Sequence, residues 1–331
     1  MKRTDIIPTI FKGGLLGIAN IIPGVSGGTM ALVLGIYERL IKSLNSIDVG
    51  FIKTALGVAT FKPGSFDKLK AELNRIDFWF IVSLGIGAVL AILASSRLII
   101  YLLTEHHDPT YGFFLGLILV SIIVPCKMFK KFGAKELVMI LLAAGLTLGV
   151  TNSMSGEENL ANAQKKHAMK EAKAKGVDAA VAGSESIDTA KLGWLFVSAA
   201  IAISAMILPG ISGSFLMILM GVYFDILEAI ARFDLIVLAV FAAGIGVGLL
   251  LFARLLNFVF DNYYDLTIGF LVGLMFGSLY GLWPFKNFEM VGTKRVDLEH
   301  IIPAFDGNFY TTVVAFLVGC ALVGIMLRFE K

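Results

Sequence analysis

A chain of 331 residues that is 57% hydrophobic and 16% charged, with a mean hydropathy of +0.84, has the composition of an integral membrane protein and not of a soluble domain. A net charge of +3 gives no reason to expect a nucleic-acid partner. The two cysteines, Cys126 and Cys320, indicate neither a disulfide framework nor a metal site. We therefore expect an all-α protein embedded in a lipid bilayer.

The first apolar region, residues 10–44, is interrupted by Pro23, Gly24, Gly27 and Gly28 in "IIPGVSGGTMALVLGIY". These residue types break helices at a depth where no water can replace the lost hydrogen bonds. The basic N-terminus leads into this region without a small-residue cleavage site. No cleavable signal peptide is therefore expected.

Six later stretches are apolar and approach or exceed the roughly 20 residues that a helix needs to span hydrocarbon. They are 78–103, 109–125, 136–151, 235–260, 264–284 and 309–327. A second broken region, 192–231, carries "ILPGISGSFLMILMGVY". Two insertions have no spanning character. The segment 49–77 holds an amphipathic stretch that suits the inner membrane surface, and 152–190 is a polar linker or outer helix.

The two broken regions predict an internal repeat. Aligning Pro23 with Pro209 also matches Gly24 with Gly210, Ser26 with Ser212, Gly27 with Gly213, Gly35 with Gly221, Tyr37 with Tyr223, Arg97 with Arg254, Asp108 with Asp265, Thr110 with Thr267, Gly116 with Gly273 and Ser121 with Ser278. We expect a first repeat at 1–151, the linker at 152–190 and a second repeat at 191–331. Each repeat holds a broken or re-entrant hairpin and three transmembrane helices. An odd number of crossings inverts the second repeat, as is typical of transporters. Two full crossings in place of re-entry remain an alternative.

The loops predict the orientation. Lysine and arginine are abundant at the N-terminus, in 45–76 and in 126–136, whereas acids match or exceed bases in 104–108, 152–191 and 285–308. The positive-inside rule then places both termini in the cytoplasm.

The broken segments predict an anion site. A helix that restarts after a Pro-Gly break directs free N–H groups and the positive end of its dipole at one point. Glycine would let a phosphate approach the backbone, and hydroxyl groups would add donors. The candidate residues are Pro23, Gly24, Ser26, Gly27, Gly28 and Thr29, with Pro209, Gly210, Ser212, Gly213 and Ser214. The alternative is that these small residues only let helices pack closely. Gly35 and Gly221 are interpreted as later helix positions where alanine is tolerated.

Arg97 and Arg254 lie inside predicted spans at matching repeat positions, where an arginine is costly unless it has a function. They predict a pair of guanidinium groups that grip phosphate oxygens. Snorkelling to the membrane surface is the alternative. Glu38, Asp225 and Glu228 are interpreted as interfacial residues, with a proton relay as the other interpretation.

The sequences "NIIPGVSGGTMALVLGIYERLI" and "LPGISGSFLMILMGVYFDIL" resemble the paired signatures of the polyprenyl-phosphate transporter family over nearly the whole chain. The resemblance implies a multi-pass protein of the bacterial cytoplasmic membrane. Its substrate would be undecaprenyl phosphate, the lipid carrier of cell-wall and surface-glycan synthesis, which it would return across the membrane. It implies no cofactor, and it leaves a coupling ion such as a proton and homo-oligomerisation open. The second motif departs at Ser214 and Phe215, so the halves need not bind equally.

Two other functions compete with transport of a lipid. Intramembrane undecaprenyl-pyrophosphate phosphatases use a Pro-Gly-x-Ser-Arg-Ser motif, but Gly27 and Gly213 occupy the arginine position here and Ser26 and Ser212 have no evident base. We therefore expect no enzyme activity and no catalytic residue. A small-anion channel or exchanger could also use half-helices.

Overall fold

The computed structural model describes residues 6–21, 27–58, 65–153, 156–174, 189–211, 213–292 and 294–329. The first half of the chain contains α1 (Ile6–Ile21), α2 (Gly27–Val33), α3 (Tyr37–Asn45), α4 (Val49–Val58), α5 (Ser65–Arg75), α6 (Phe78–Glu105), α7 (His107–Ser121), α8 (Ile123–Cys126) and α9 (Ala134–Thr151). The second contains α10 (Gly156–Ala174), α11 (Thr189–Ile207), α12 (Gly213–Leu219), α13 (Tyr223–Arg232), α14 (Leu235–Asn262), α15 (Tyr264–Gly281), β1 (Lys286–Val291), β2 (Lys294–His300) and α16 (Gly307–Phe329).

The membrane-spanning helices confirm the predicted fold class. Seven helices in the described ranges are long and apolar enough to cross a bilayer. Six correspond to the predicted spans, and the seventh is α11, the first arm of the second broken region. The chain is therefore an α-helical integral membrane protein.

Two strands depart from the all-α prediction. β1 and β2 form an antiparallel hairpin between α15 and α16, with Phe288 opposite Asp297 and Val291 opposite Lys294. Gly292 turns the chain between them with a φ of 62°. The insertions hold α5, whose second residue is the exposed Phe66 and which leads to the buried Ile76, and α10, which packs against the hairpin.

The first arm of each broken region packs along the first long helix of the same half. Gly87 of α6 lies against the carbonyl of Ile10 in α1, and Gly244 of α14 lies against the carbonyl of Phe196 in α11. Both pairs run parallel, because contacts advance in the same direction along both helices, as from Gly13 to Gly17 of α1. Glycine allows this approach because a β-carbon at these positions would collide with backbone.

The remaining helices are exchanged between the halves. α16 packs along α7, and α9 packs along α15. Gly116 of α7 meets the backbone of Phe316, and Gly273 of α15 meets the backbone of Ile140. The repeat alignment makes these two contacts equivalent, so the same packing occurs twice. The inverted orientation of the halves in a membrane stays a prediction.

The exchanged pairs place α7 and α15 at the centre, where Ile118, Ile268 and Leu271 are fully buried. The outer helices turn large apolar side chains outward, such as Leu93 of α6 and Leu141 of α9, which are 71% and 64% exposed. Such faces suit lipid contact.

Each broken region folds back on itself. In the first, Lys12 Nζ of α1 donates to the carbonyl of Leu34 at 2.8 Å; in the second, Trp194 Nε1 of α11 donates to the carbonyl of Met220 at 3.0 Å. The two acceptors are equivalent in the repeat, and each follows the short helix after the break. Both regions are therefore helical hairpins.

The turn that follows each acceptor corrects one expectation. Gly35 and Gly221 have φ values of 64° and 76° and lie between two helices, not inside one. A left-handed backbone disfavours any residue with a β-carbon, so alanine should be strained at both positions.

Candidate functional site

The first break ends where α2 begins. The N–H of Gly27 donates to Oδ1 of Asn20 at 3.2 Å, and Nδ2 of Asn20 donates to the carbonyl of Leu16 at 3.0 Å. The amide of Asn20 therefore bridges α1 and α2 and occupies one of the N–H groups expected to face an anion. Sequence analysis did not select this residue, although a lone amide beside a Pro-Gly break in an apolar run was a visible signal.

The two broken segments meet. A β-carbon on Gly28, the second residue of α2, would collide with the carbonyl of Ile207 and the backbone of Leu208. Ile207 is the last residue of α11, and Leu208 directly precedes Pro209, which is buried. The start of the short helix of one half thus touches the entry to the break of the other half.

The second break lies against α15. Gly210 has a φ of 81°, and its missing β-carbon would collide with the carbonyl of Leu274 and the side chain of Ser278. Gly213 lies in the same way against Met206 and the carbonyl of Ala202.

These contacts modify the expected role of three glycines. At Gly28, Gly210 and Gly213 the space beside the α-carbon is filled by protein, not left open for a phosphate. Close packing, the alternative given above, explains glycine at these positions. Gly27 differs, because its neighbour there is the polar side chain of Asn20.

The other predicted motif residues are only partly placed. Thr29 is 1% exposed and has an interaction partner. Ser214 is the second residue of α12. Pro23, Gly24, Ser26 and Ser212 lie outside the described residues.

Arg97 and Arg254 occupy the same place in their helices. Each lies eight residues before the last residue of its helix, Glu105 in α6 and Asn262 in α14. Both side chains are exposed, and neither has an ion pair or hydrogen bond within the described ranges. They are thus available to a ligand, but the structure does not bring them against Gly27 or Gly28.

Two of the acids that follow the short helices, Glu38 and Asp225, have polar partners. Glu38 accepts a hydrogen bond from the hydroxyl of Tyr264 at 3.0 Å, and Asp225 lies 3.9 Å from Nζ of Lys191. Such pairs suit interfacial residues, the interpretation favoured from sequence.

A charged cluster that sequence analysis missed fixes the β-hairpin. Arg295 Nη1 lies 3.2 Å from Oδ1 of Asp108, and Arg295 Nε donates to Oδ1 of Asp297 at 3.0 Å. Asp297 Oδ2 lies 3.4 Å from His107 Nε2 and 3.5 Å from Lys286 Nζ. Burial would raise the pKa of Asp297, but the His107 hydrogen bond and these positive charges lower it to about 2. The cluster joins the start of α7 to the hairpin.

Nothing in the described part of the chain suggests a metal centre, because no three His, Cys, Asp or Glu side chains there are grouped to hold an ion.

Two broken helical segments meet inside a helical protein that has seven helices of spanning length in its described ranges, and this defines a multi-pass α-helical membrane protein. The chain belongs to the undecaprenyl phosphate translocase-like family, whose sequence profile matches residues 16–300.

Two relatives agree with this family. The chain is 33% identical to a polyprenyl-phosphate transporter of Vibrio cholerae serotype O1, over 100% of this chain and 98% of the relative. It is 30% identical to a polyprenyl-phosphate transporter of Staphylococcus aureus, over 83% of this chain and 85% of the relative. No solved structure gives a significant match. Family membership places the chain among transporters and not among enzymes.

Proposed function

We propose that this chain transports polyprenyl phosphate, specifically undecaprenyl phosphate, across the bacterial cytoplasmic membrane. It would thereby recycle the lipid carrier of cell-wall and surface-glycan synthesis. The observation that carries the proposal is the contact of Gly28 with Ile207 and Leu208, because it brings the breaks of both halves to one place in the protein interior. Transporters bind substrate where discontinuous helices of two repeats meet. The two relatives supply the chemical class of the substrate.

In this proposal the phosphate is held by the broken segments and by Arg97 and Arg254. α1 and α6 run parallel, and the first break follows the end of α1. Arg97 comes after the α6 residues that α1 contacts, so it lies toward the same end as the break. An exposed guanidinium that has no partner among the residues described in the structure has its planar pair of donors available for phosphate oxygens.

The packing supports the proposed inverted orientation. Each hairpin would enter and leave the membrane by one face, and both termini would be cytoplasmic. In that topology the pairs α1 with α6, α11 with α14, α7 with α16 and α9 with α15 all cross in the same direction. The glycine contacts in all four pairs advance in parallel, in agreement with this arrangement.

The transport test uses purified protein in liposomes with a leaflet-resolved measurement of undecaprenyl phosphate. We expect Arg97→Ala and Arg254→Ala each to lower the transport rate at least about tenfold, because phosphate loses a charged, bidentate partner. Lysine should restore the rate only in part, since it lacks the planar fork.

Arg328→Ala is the matched control, because Arg328 is also an exposed arginine in a long helix but lies at its last turn. If Arg97→Ala and Arg254→Ala both transport as fast as Arg328→Ala, the two arginines do not bind the transported phosphate. Passage of small anions at a comparable rate would favour a channel or exchanger.

The orientation is tested by thiol labelling in intact cells. Native Cys126, which is exposed, should react only with reagents that reach the cytoplasm. In a variant without Cys126, Ala161→Cys on the exposed side of α10 should react from outside. Labelling of both sites from one face contradicts the inverted repeat, because the single span α9 separates them.

A further inference from the structure

An open cavity of about 510 Å³ lies beside α3 and is called the α3 pocket here. Its wall includes Glu38, Arg39 and Lys42 of α3, together with Arg75 and Asp77 from the junction of α5 and α6. It has room for a phosphate group and several waters. The pocket adjoins the basic segments 45–76 and 126–136, on the face that the charge pattern predicts to be cytoplasmic.

Arg39 is held in place by its own neighbours. Its Nε donates to Oδ2 of Asp77 at 2.7 Å, and its Cζ lies 4.1 Å from the centre of the Phe80 ring. Both contacts leave the two terminal nitrogens of the guanidinium without an acceptor in the described ranges. A fixed arginine with a free pair of N–H groups is preorganised for a phosphate or carboxylate.

The other two cations of the wall also keep free donors. Arg75 uses Nε and Nη2 on Glu72 and Asp48, so Nη1 has no acceptor among the described residues. Lys42 Nζ is 3.9 Å from Glu38, which is beyond hydrogen-bond distance.

The carboxylates around the α3 pocket are already engaged. Asp77 accepts from Arg39, Glu38 accepts from Tyr264, and Asp48 accepts from the N–H of Phe51 at 2.8 Å as well as from Arg75. Glu72 accepts from Arg75. The acids outnumber the cations by one, but they serve to hold the arginines, while the free N–H groups of the wall come from the cations.

The equivalent helix of the second half carries the opposite charge. The repeat alignment that pairs Tyr37 with Tyr223 also pairs Arg39 with Asp225 and Lys42 with Glu228. The two α3 cations, Arg39 and Lys42, thus each have an acid in their place, at the end of the molecule predicted to face outward. The positive-inside rule accounts for part of this reversal. The anion site adds to it an arginine held in place by Asp77 and Phe80 with its terminal donors turned to the pocket.

We propose that the α3 pocket binds a phosphate monoester, the headgroup of polyprenyl phosphate, at the cytoplasmic end of its path. This inference rests on the proposed function, and it adds a second phosphate site apart from the broken segments. Arg39 would provide a bidentate contact, with Lys42 and Arg75 as further cations. A phosphate monoester carries about two negative charges, which three adjacent cations can partly neutralise.

The test measures binding to the full-length protein in detergent with three probes: a short-chain polyprenyl phosphate, the matching polyprenol and inorganic phosphate. The variants are Arg39→Gln, Lys42→Gln and the double charge reversal Arg39→Asp with Lys42→Glu, which copies the second half. Lys68→Gln is the control, because Lys68 is an exposed lysine of the adjacent α5 outside the pocket. Melting temperature is recorded for each variant.

We expect the polyprenyl phosphate to bind at least about tenfold more tightly than the polyprenol. Each single substitution should weaken that binding about three- to tenfold, and the double reversal should abolish it. Lys68→Gln should bind like the wild type. Because the ion pair of Lys42 with Glu38 is exposed and 3.9 Å long, Lys42→Gln should keep the wild-type melting temperature, so its weaker binding cannot come from unfolding.

If the Lys42→Gln and double-reversal proteins bind the polyprenyl phosphate like the wild type, the α3 pocket is not its binding site. The transport proposal would be unaffected. If inorganic phosphate competes as strongly as the lipid, the ligand of the pocket is free phosphate and not the headgroup of polyprenyl phosphate. A wild-type protein that neither binds nor moves polyprenyl phosphate would overturn the proposed function and the pocket together.

Discussion

The two hairpins of this protein share a backbone plan and differ in several of the polar groups attached to it. Both consist of a long arm, a Pro-Gly break, a short helix and a left-handed glycine turn. In the first, Asn20 bridges the break, whereas the aligned residue in the second is Met206, which lies against Gly213. The glycines preserve the packing in both copies, and the divergent side chains make the two ends chemically unequal.

The outer surfaces of the hairpins differ in the same way. The end of α3 borders an open pocket with free cations, whereas α13 carries Asp225 and Glu228 and is approached by α10. Lys165 of α10 lies 5.8 Å from the centre of the Phe224 ring. A symmetric frame with unequal ends can hold an anionic headgroup differently on the two sides of a membrane.

The largest expected effect breaks the contact between the two hairpins. Gly28→Val would place two methyl groups where the Ile207 carbonyl lies, and we expect a loss of about 3 kcal/mol or more in stability, or no folded protein. The measurement is the melting temperature and the yield of monodisperse protein. Gly85→Val is the control, because a β-carbon at Gly85 of α6 meets nothing within 4 Å. Equal behaviour of the two variants would show that the breaks do not meet.

A second prediction compares the carboxylate contacts at the starts of α7 and α15. Asp108 and Asp265 are aligned, and each binds near the start of an exchanged helix. Asp108 accepts from Asn308 in the first turn of α16 at 2.7 Å, and Asp265 accepts from the N–H of Lys130, before α9, at 2.7 Å. Only Asp108 joins a larger charged cluster, through Arg295 to Asp297. Asp297→Asn should therefore cost about 2 kcal/mol, and Asp265→Asn about 1 kcal/mol.

The pH dependence of stability distinguishes these two contacts further. A carboxyl whose folded-state pKa is lowered to about 2 stabilises the fold above its ordinary value of about 3.9 and loses that contribution as pH falls through about 2. Fluorescence of Trp283 beside the hairpin, in a variant with Trp79 and Trp194 replaced by Phe, should thus be constant from pH 7 to 5 and change between about pH 4 and 2. Asp297→Asn should remove that acid transition. An unchanged transition in this variant would exclude Asp297 as its cause.

A smaller effect is expected at the turns that the hairpins have in common. Gly35→Ala and Gly221→Ala should each cost about 1 kcal/mol, because alanine is strained at positive φ. Gly85→Ala lies inside a helix with open space around it and should instead stabilise α6 by up to about 1 kcal/mol. Thermal unfolding of the three variants checks the sign. A stabilised Gly35→Ala protein would restore the original interpretation of that residue as a helix position.

The spans and the repeat could be predicted because hydropathy and the positions of Pro, Gly and Arg are local properties of the chain. The exchange of α9 and α16 between halves could not, because it depends on contacts such as Gly116 with Phe316 that lie far apart in sequence. The β-hairpin was missed although Val291 and Gly292 end its first strand at a recognisable turn. Alternation over six or seven residues is a weak signal beside spans of twenty.

The candidate site was predictable in part for a similar reason. A Pro-Gly break marks where a helix stops, so the two segments that meet at Gly28 were found from sequence. What fills the space beside each glycine depends on the partner helix. The sequence alone therefore could not tell whether Gly210 and Gly213 face a neighbouring helix or an open space for a phosphate. The role of Asn20 depends on the path of the chain after it, and a single sequence does not contain that path.

The smallest expected effect concerns two tyrosines whose rings contact the same phenylalanine. Tyr37 of the first hairpin and Tyr264 both pack against Phe260, with ring centres 6.2 Å and 6.1 Å away. The hydroxyl of Tyr264 donates to Glu38, whereas the buried hydroxyl of Tyr37 has no partner in the part of the chain that the structure describes. A buried polar group without a partner carries a desolvation cost of about 1–3 kcal/mol. Tyr37→Phe should therefore leave stability unchanged or raise it by up to about 1 kcal/mol, while Tyr264→Phe lowers it by about 1 kcal/mol.

Both substitutions remove one oxygen and keep the ring, so their difference isolates the hydrogen bond. Thermal unfolding of the two variants and of the double variant measures it, and the effects should be additive within about 0.5 kcal/mol if the two hydroxyls act independently. Because the Tyr37 oxygen is inaccessible, Tyr37→Phe should also bind phosphate probes like the wild type. A clear loss of stability in Tyr37→Phe would show that its hydroxyl has a partner and that the first hairpin closes more tightly over α14 than its contacts indicate.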